Sequence, residues 1–449
     1  MELNKIKQRL ELALRPVEKP PTIEEVLEQV SRHGVLRGPV DWVFPAWMLY
    51  VEYAAESIAE AFQLSEEEKR QLFHFRDTMK RLLPEAQRQA KAKLTSIYKA
   101  VAEGTYRLEG NRLYAPDGTW MRIAKIAAPH IILRIIIRGV TAKTHFPDLL
   151  KLPRERLELF QLGWWASDEG NNDGRPDMST TQPWQVFAWA AVRYGEHYIR
   201  IASVNLTRGG ISVVIRIIAR GWSQRWGKDK AVDLVASRLR RGEWASMLTM
   251  WLGDGKVKRR DVISSDYKLV IATKEPWRLG TSVGTNEALV ATGKEAFIKL
   301  KEAAGIYGGL LDLLKAHKWI YIKLATDDAL RVTHKLKTEK RSIDVLREAY
   351  GQNSDEIPTA SHAEADKPGA VAVAGVVMYL ELVSGRGGSF VAKYFTRDLE
   401  KALAAAARRL ESAGFRPNVV RSNANYVVYI ATADLLKLAE RDGAIRKAI

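Results

Sequence analysis

The chain has 449 residues, of which 70 are Lys or Arg and 53 Asp or Glu, giving a formal net charge of +17, and it contains no cysteine. An apolar content of 46% excludes wholesale disorder, and the missing cysteines exclude disulfides, thiolate zinc sites and cysteine nucleophiles. A basic excess this large favours a polyanionic partner, nucleic acid before membrane.

Length predicts roughly two to four domains. The N-terminal stretch MELNKIKQRLELAL is charged throughout, and the most apolar window, Ile131 to Val140, is interrupted by Arg134 and Arg138. Neither suits an export signal or a bilayer span, so a cytoplasmic protein with no membrane partner is expected.

In chain order, residues 22–103 read as helical: Pro20-Pro21 precede an acidic first turn at Glu24 and Glu25, and apolar residues then recur at helical spacing. Thr105 to Ile123 changes to short strands around Glu109-Gly110-Asn111 and Pro116-Asp117-Gly118. Residues 1–145 are therefore expected to be a mostly helical module with one hairpin. From Pro153, the residues Leu157, Phe160, Trp164 and Trp165 predict a helix that stops at Ser167-Asp168-Glu169-Gly170. Two strands come next, His197 to Leu206 and Ile211 to Trp222, with Ile211, Val213, Ile215, Ile217 and Ala219 on one apolar face.

A second helix starts at Trp244 and ends in Gly253-Asp254-Gly255. Beyond it, strands are expected at Lys268–Thr273 and Trp319–Leu324, and helices at Lys294–Ala304 and Gly309–Lys315. Residues 352–369 read as a linker. The tail, 367–449, predicts a ββαββα unit: hairpin strands at Val373–Val383 and Ser389–Thr396, a helix capped by Asp398, a second hairpin, and a helix from Asp434.

Several chemistries are absent. The eight histidines show no metal-ligand pair on one helix, no G-x-x-x-x-G-K-[ST] phosphate loop occurs, and the acidic run Asp168 to Asp173 lacks EF-hand spacing. What stands out is the pair of Trp-containing apolar helices, Gln161 to Gly170 and Met247 to Gly255, which align with Asp168 opposite Asp254, 86 residues apart.

Met247-Leu248-Thr249-Met250-Trp251-Leu252-Gly253-Asp254-Gly255 resembles the LAGLIDADG motif of homing endonucleases, maturases and intein nucleases. Leu162-Gly163-Trp164-Trp165-Ala166-Ser167-Asp168 is a looser copy, with Glu169 where the last Gly belongs. The resemblance implies two motif helices packed through small residues, each delivering one acid to a shared Mg²⁺ site (Mn²⁺ as substitute) at the floor of a DNA-binding saddle. Asp168 and Asp254 are then the catalytic and metal-binding pair, on a monomer with two pseudo-symmetric halves. Residues 150–449 also resemble the PaRep-type repeat proteins of hyperthermophilic archaea, in STTQPWQVFAWAAVRYGE, ASVNLTRGG and LTMWLGDGK, which implies a mobile-element origin.

From Met178 to Lys228 there are seven basic residues and one acidic, Glu196. Arg200, Arg208, Arg216 and Arg220 are the expected DNA contacts there, with Lys393 and Arg421 on the tail. The expected fold is thus α+β: a helical module, a first LAGLIDADG-like unit at 146–256 of αββαββα type, an insertion or second unit plus linker at 257–366, and the tail unit, so that the second copy is interrupted. The expected function is binding of double-stranded DNA, with metal-dependent site-specific cleavage. Two readings stay open beside it: a regulatory DNA-binding protein of the same fold without cleavage, and an interaction protein with no nucleic-acid role.

Overall fold

The computed structural model of the chain describes residues 3–125, 131–259, 267–272, 287–292, 294–326, 370–383, 389–422, 425–431, 434–435 and 440. It is an α+β protein that divides into two compact units, residues 1–257 with 268–324, and residues 258–267 with 325–449. No described helix is long and apolar enough to cross a membrane.

The first unit opens with α1 (Leu3–Leu14), α2 (Ile23–His33), α3 (Val40–Ala61) and α4 (Glu66–Glu103). Thr22 and Ser65 start α2 and α4 with reciprocal capping boxes to Glu25 and Glu68. Gly34 and Gly104 end those helices in the left-handed conformation that glycine adopts without strain. Short strands come after them: β1 (Arg107–Glu109), β2 (Arg112–Tyr114) and β3 (Trp120–Lys125), where strands are expected, and β4 (Ile131–Ile136) and β5 (Thr141–Phe146), which go beyond the one hairpin expected of residues 1–145.

The chain then runs α5 (Arg154–Ala166), β6 (Glu169–Asn172), β7 (Arg175–Thr180), α6 (Pro183–Val192), β8 (Gly195–Thr207), β9 (Gly210–Ala219) and α7 (Lys228–Arg240), an αββαββα order. Nine strands form one sheet, ordered β1-β2-β3-β4-β8-β9-β7-β6, with β5 also paired to β8. Residue 145 is therefore no boundary. β4 and β5 both hydrogen-bond to β8, so the strands of the expected N-terminal module share one sheet with β6 to β9.

On β9 the predicted apolar face is fully buried, and α1, α3 and α6 cover it. Alternation of period two then leaves Ser212, Val214, Arg216 and Ile218 on the outer face. A bulge between Ile201 and Ser203 shifts β8 by one residue, so that Arg200 and Asn205 share this outer face although their numbers differ in parity.

Next come α8 (Ala245–Asp254), β10 (Gly255–Arg259), β11 (Tyr267–Ala272), β12 (Glu287–Thr292), α9 (Lys294–Ala304), α10 (Ile306–Leu313) and α11 (His317–Thr326). Strands β10 to β12 form a three-stranded sheet. Trp319–Leu324, expected to be a strand from its aromatic and β-branched residues, is helical. Trp319, Ile322 and Thr326, at i, i+3 and i+7, are buried among its described side chains.

The second unit is a five-stranded sheet ordered β13-β14-β15-β17-β16. Its elements are β13 (Ala370–Val373), β14 (Val376–Val383), β15 (Ser389–Thr396), a helix α12 (Leu399–Leu403) continuing as a π-helical stretch (Ala404–Glu411), β16 (Asn418–Ser422) and β17 (Asn425–Ala431). Val373–Val383, expected as one strand, bends into a hairpin at Ala374 and Gly375, both at positive φ (51° and 74°). That is the backbone of a two-residue turn usually written Asn-Gly, and alanine there hides it. Val428 and Ile430 are buried, with Tyr426 packed against the same core. The expected linker at 352–369 and most of the helix from Asp434 lie outside the described residues.

Helices α5 and α8 approach backbone to backbone. A Cβ on Gly163 would lie 2.0 Å from the Ser246 carbonyl oxygen and 2.1 Å from Thr249 Oγ1, and one on Gly253 would lie 2.2 Å from Ser167 Oγ. The Thr249 hydroxyl donates to the Phe160 carbonyl across the contact at 2.8 Å. Backbone cannot yield as a side chain can, so Gly163→Ala forces the helices apart. We expect a loss of about 3 kcal/mol or more in denaturant unfolding. Gly309→Ala, within α10, gives a comparison for the change in residue alone, because nothing lies near its Cβ position and its backbone is helical.

Candidate functional site

The two motif helices meet through equivalent positions. Gly163 faces Thr249, Ser167 faces Gly253, and each pair is separated by the same 86 residues that separate Asp168 from Asp254. Contacts between equivalent positions are what a local two-fold axis between the helices produces. That axis brings the C-terminal ends of both helices together, and with them their acids.

Asp254 is the last residue of α8, and Asp168 comes directly after Ser167 at the end of α5. The two carboxyl groups are within hydrogen-bonding reach of each other. Burial, then the Asp168 charge and the shared hydrogen bond, push Asp254 up to about 6. Gln185 on α6 donates from Nε2 to Asp168 Oδ2 at 3.0 Å, which fixes that carboxylate.

Two lysines flank the pair. Lys228, the first residue of α7, donates to the carbonyls of Ser167 (2.6 Å) and Glu169 (2.7 Å), and Lys318 of α11 donates to the Gly253 carbonyl. Each ammonium thus sits at the negative end of one motif helix. Burial lowers the Lys318 pKa to about 8 and that of Lys228 less far, against the pull of both aspartates. Sequence reading missed Gln185, Lys228 and Lys318 as site residues. They reach the aspartates from elements distant in the chain, and no local pattern marks them.

Glu169, the departure from the motif, turns away from the site. It is fully buried and accepts from Arg193 at two oxygens (Nε 3.1 Å, Nη2 2.7 Å), from Trp189 Nε1 at 2.6 Å, and from Gln224. It belongs to a structural ion pair and is no third ligand. Among the described residues, no group of three or more His, Asp or Glu side chains converges as a metal cage.

Beside Asp168 opens a cleft of about 450 Å³, lined by Arg134, Ser179, Gln182, Gln185, Arg200 and Arg216 among others. The basic excess of residues 178–228 is less available than the count suggests. Arg216 is paired with Asp177 (2.7 Å), Arg220 with Glu196 (3.3 Å), Arg225 with Glu158, and Arg193 with Glu169. Arg200 and Arg208 have no carboxylate partner among the described residues. Arg200 Nε is buried without a hydrogen bond, and Arg208 is exposed in the β8–β9 turn.

Lys393 and Arg421 lie in the second unit, where the register sets Lys393 opposite Tyr429 and Arg421 opposite Tyr426. The tryptophans of the motifs are core: Trp164, Trp165 and Trp251 are buried, and Trp244 is half-buried. No family model, curated protein or solved structure matches the chain.

Proposed function

We propose that this protein is a LAGLIDADG-type binder of double-stranded DNA whose Asp168 and Asp254 share a divalent cation and support phosphodiester cleavage. The observation that carries the reading is the convergence of two carboxyls from equivalent ends of two helices, packed through equivalent small residues, beside an arginine-lined cleft.

The donor chemistry fits a cation such as Mg²⁺. Two carboxylates this close repel, and Mg²⁺ commonly takes one or two carboxylates, completing its shell with water and phosphate oxygens. When bound, the ion would supply an activated water and neutralise charge developing on the phosphodiester. The protein's own groups do the rest. Gln185 holds the Asp168 carboxylate in place, and the charges of Lys318 and Lys228 pull against the upward shift of Asp254. Arg134 and Arg200 offer positive charge to a backbone lying along the cleft.

One observation favours the binding-only alternative. The two lysines already offset the two carboxylates, so the site stands close to neutral without a metal. The test is nicking of a supercoiled plasmid library of random sequence. Nicking with magnesium or manganese and none with EDTA supports cleavage. Salt-sensitive binding without nicking leaves the binding reading, and neither result defeats both.

A further inference from the structure

The outer face of β2, β3 and β4 carries charge that the fold does not use. Arg112 is registered opposite Arg122, Arg122 opposite Arg134, Arg134 opposite Asn205, and Asn205 opposite Ser212. This is one straight row across five adjacent strands. Leu113, Met121, Ile123, Leu133 and Ile135 point the other way and are buried, on the side where α4 packs. Arg112 and Arg122 are exposed, and Arg134 is half-buried.

No carboxylate pairs with any of these three arginines among the described residues. Arg112 lies 4.6 Å from the centroid of the Trp120 ring and touches the Tyr114 hydroxyl at 3.3 Å, Arg134 donates to Asn205 at 2.9 Å, and the Arg122 side chain makes no polar contact with the described residues. Like charges directly opposite on neighbouring strands destabilise a sheet. A row of three is therefore a standing cost, and a polyanion laid across it would remove that cost. The row is also continuous with the site, because Arg134 lines the cleft together with Asp168 and Arg200.

We propose that the outer face of β2, β3 and β4 is an extension of the DNA-binding surface that takes the phosphate backbone of duplex DNA beyond the aspartate cleft. The proposal rests on the duplex-binding reading above. At about 4.8 Å per strand, the row from Arg112 to Ser212 spans about 19 Å, the length of about 6 base pairs. The strands that precede the first motif helix thereby acquire a role: from Asn205 on β8 out to Arg112 on β2 they add about 14 Å, or about 4 base pairs, to the footprint.

The test measures binding of random-sequence duplexes of about 10 and about 30 base pairs over a range of salt, without divalent ions, by fluorescence anisotropy. The wild type should show a steeper slope of log K against log[salt] on the longer duplex. Arg112→Ala with Arg122→Ala should flatten that slope by about 2, one phosphate contact each, and leave the short duplex unaffected. Lys69→Ala with Arg70→Ala, on the exposed first turns of α4, should change neither. The double arginine variant should melt no lower than the wild type, since it removes facing like charges. A folded variant with an unchanged slope on the long duplex overturns the extension and leaves the duplex-binding reading intact. A wild type that binds neither duplex overturns both.

Discussion

Asp254→Asn is expected to lower plasmid nicking by about 10²-fold or more while duplex affinity stays within a few-fold. The substitution keeps the shape of the side chain and one oxygen but removes a charge from a site whose ion would stabilise the reaction by several kcal/mol, and about 3 kcal/mol is worth about 10²-fold. Asp168→Asn is expected to do the same, because the helix pair gives each acid an equivalent place. Affinity rests on arginines elsewhere on the outer face, so losing an anion beside phosphate does not weaken binding. Rates from single-turnover nicking, set beside salt-matched binding curves, separate the two effects. Activity that survives both substitutions would falsify the two-aspartate site.

Glu169→Ala, one residue away, is expected to act on stability. It leaves the Arg193 guanidinium, 2% exposed, as an uncompensated charge in the core, and strips Trp189 and Gln224 of their acceptor. Breaking such a buried pair costs about 3–5 kcal/mol. Glu169→Gln keeps an acceptor and should cost less. Denaturant unfolding of both variants beside the wild type checks the order. A loss below about 1 kcal/mol for the alanine variant would mean that solvent reaches Arg193.

Much of the fold is legible in the sequence where local chemistry decides it. The helix start before the acidic turn at Glu24 and Glu25, the stop at Ser167-Asp168, the hairpin at Arg208-Gly209 and the apolar face of β9 all depend on residues close together in the chain. The two aspartates can be named because motif spacing is also local. What the sequence hides is set by distant partners. The pairing of β4 and β5 with β8 has no local signal, so the expected boundary falls where the sheet is continuous. Arg216 and Arg220 read as free because their partners, Asp177 and Glu196, stand far from them in the chain and meet them only across the sheet. α11 reads as a strand because an aromatic, β-branched run packs on a helical period as readily as on an extended one.

The central claim, that Asp168 and Asp254 share a cation site, is tested most directly by thermal unfolding with and without magnesium, free of any assay for cleavage. The folded pKa of Asp254 is raised from 3.8 to about 6. Its contribution to stability is therefore full below 3.8 and lost as pH rises through about 6, leaving two facing carboxylates at pH 8. At pH 8, magnesium should raise the melting temperature of the wild type by several degrees, since an ion at about 100 times its Kd adds about 2.7 kcal/mol. Without magnesium, Asp254→Asn should melt above the wild type at pH 8, match it near pH 4, and gain nothing when the ion is added. A wild type that magnesium does not stabilise, or an asparagine variant stabilised equally, would contradict the shared site.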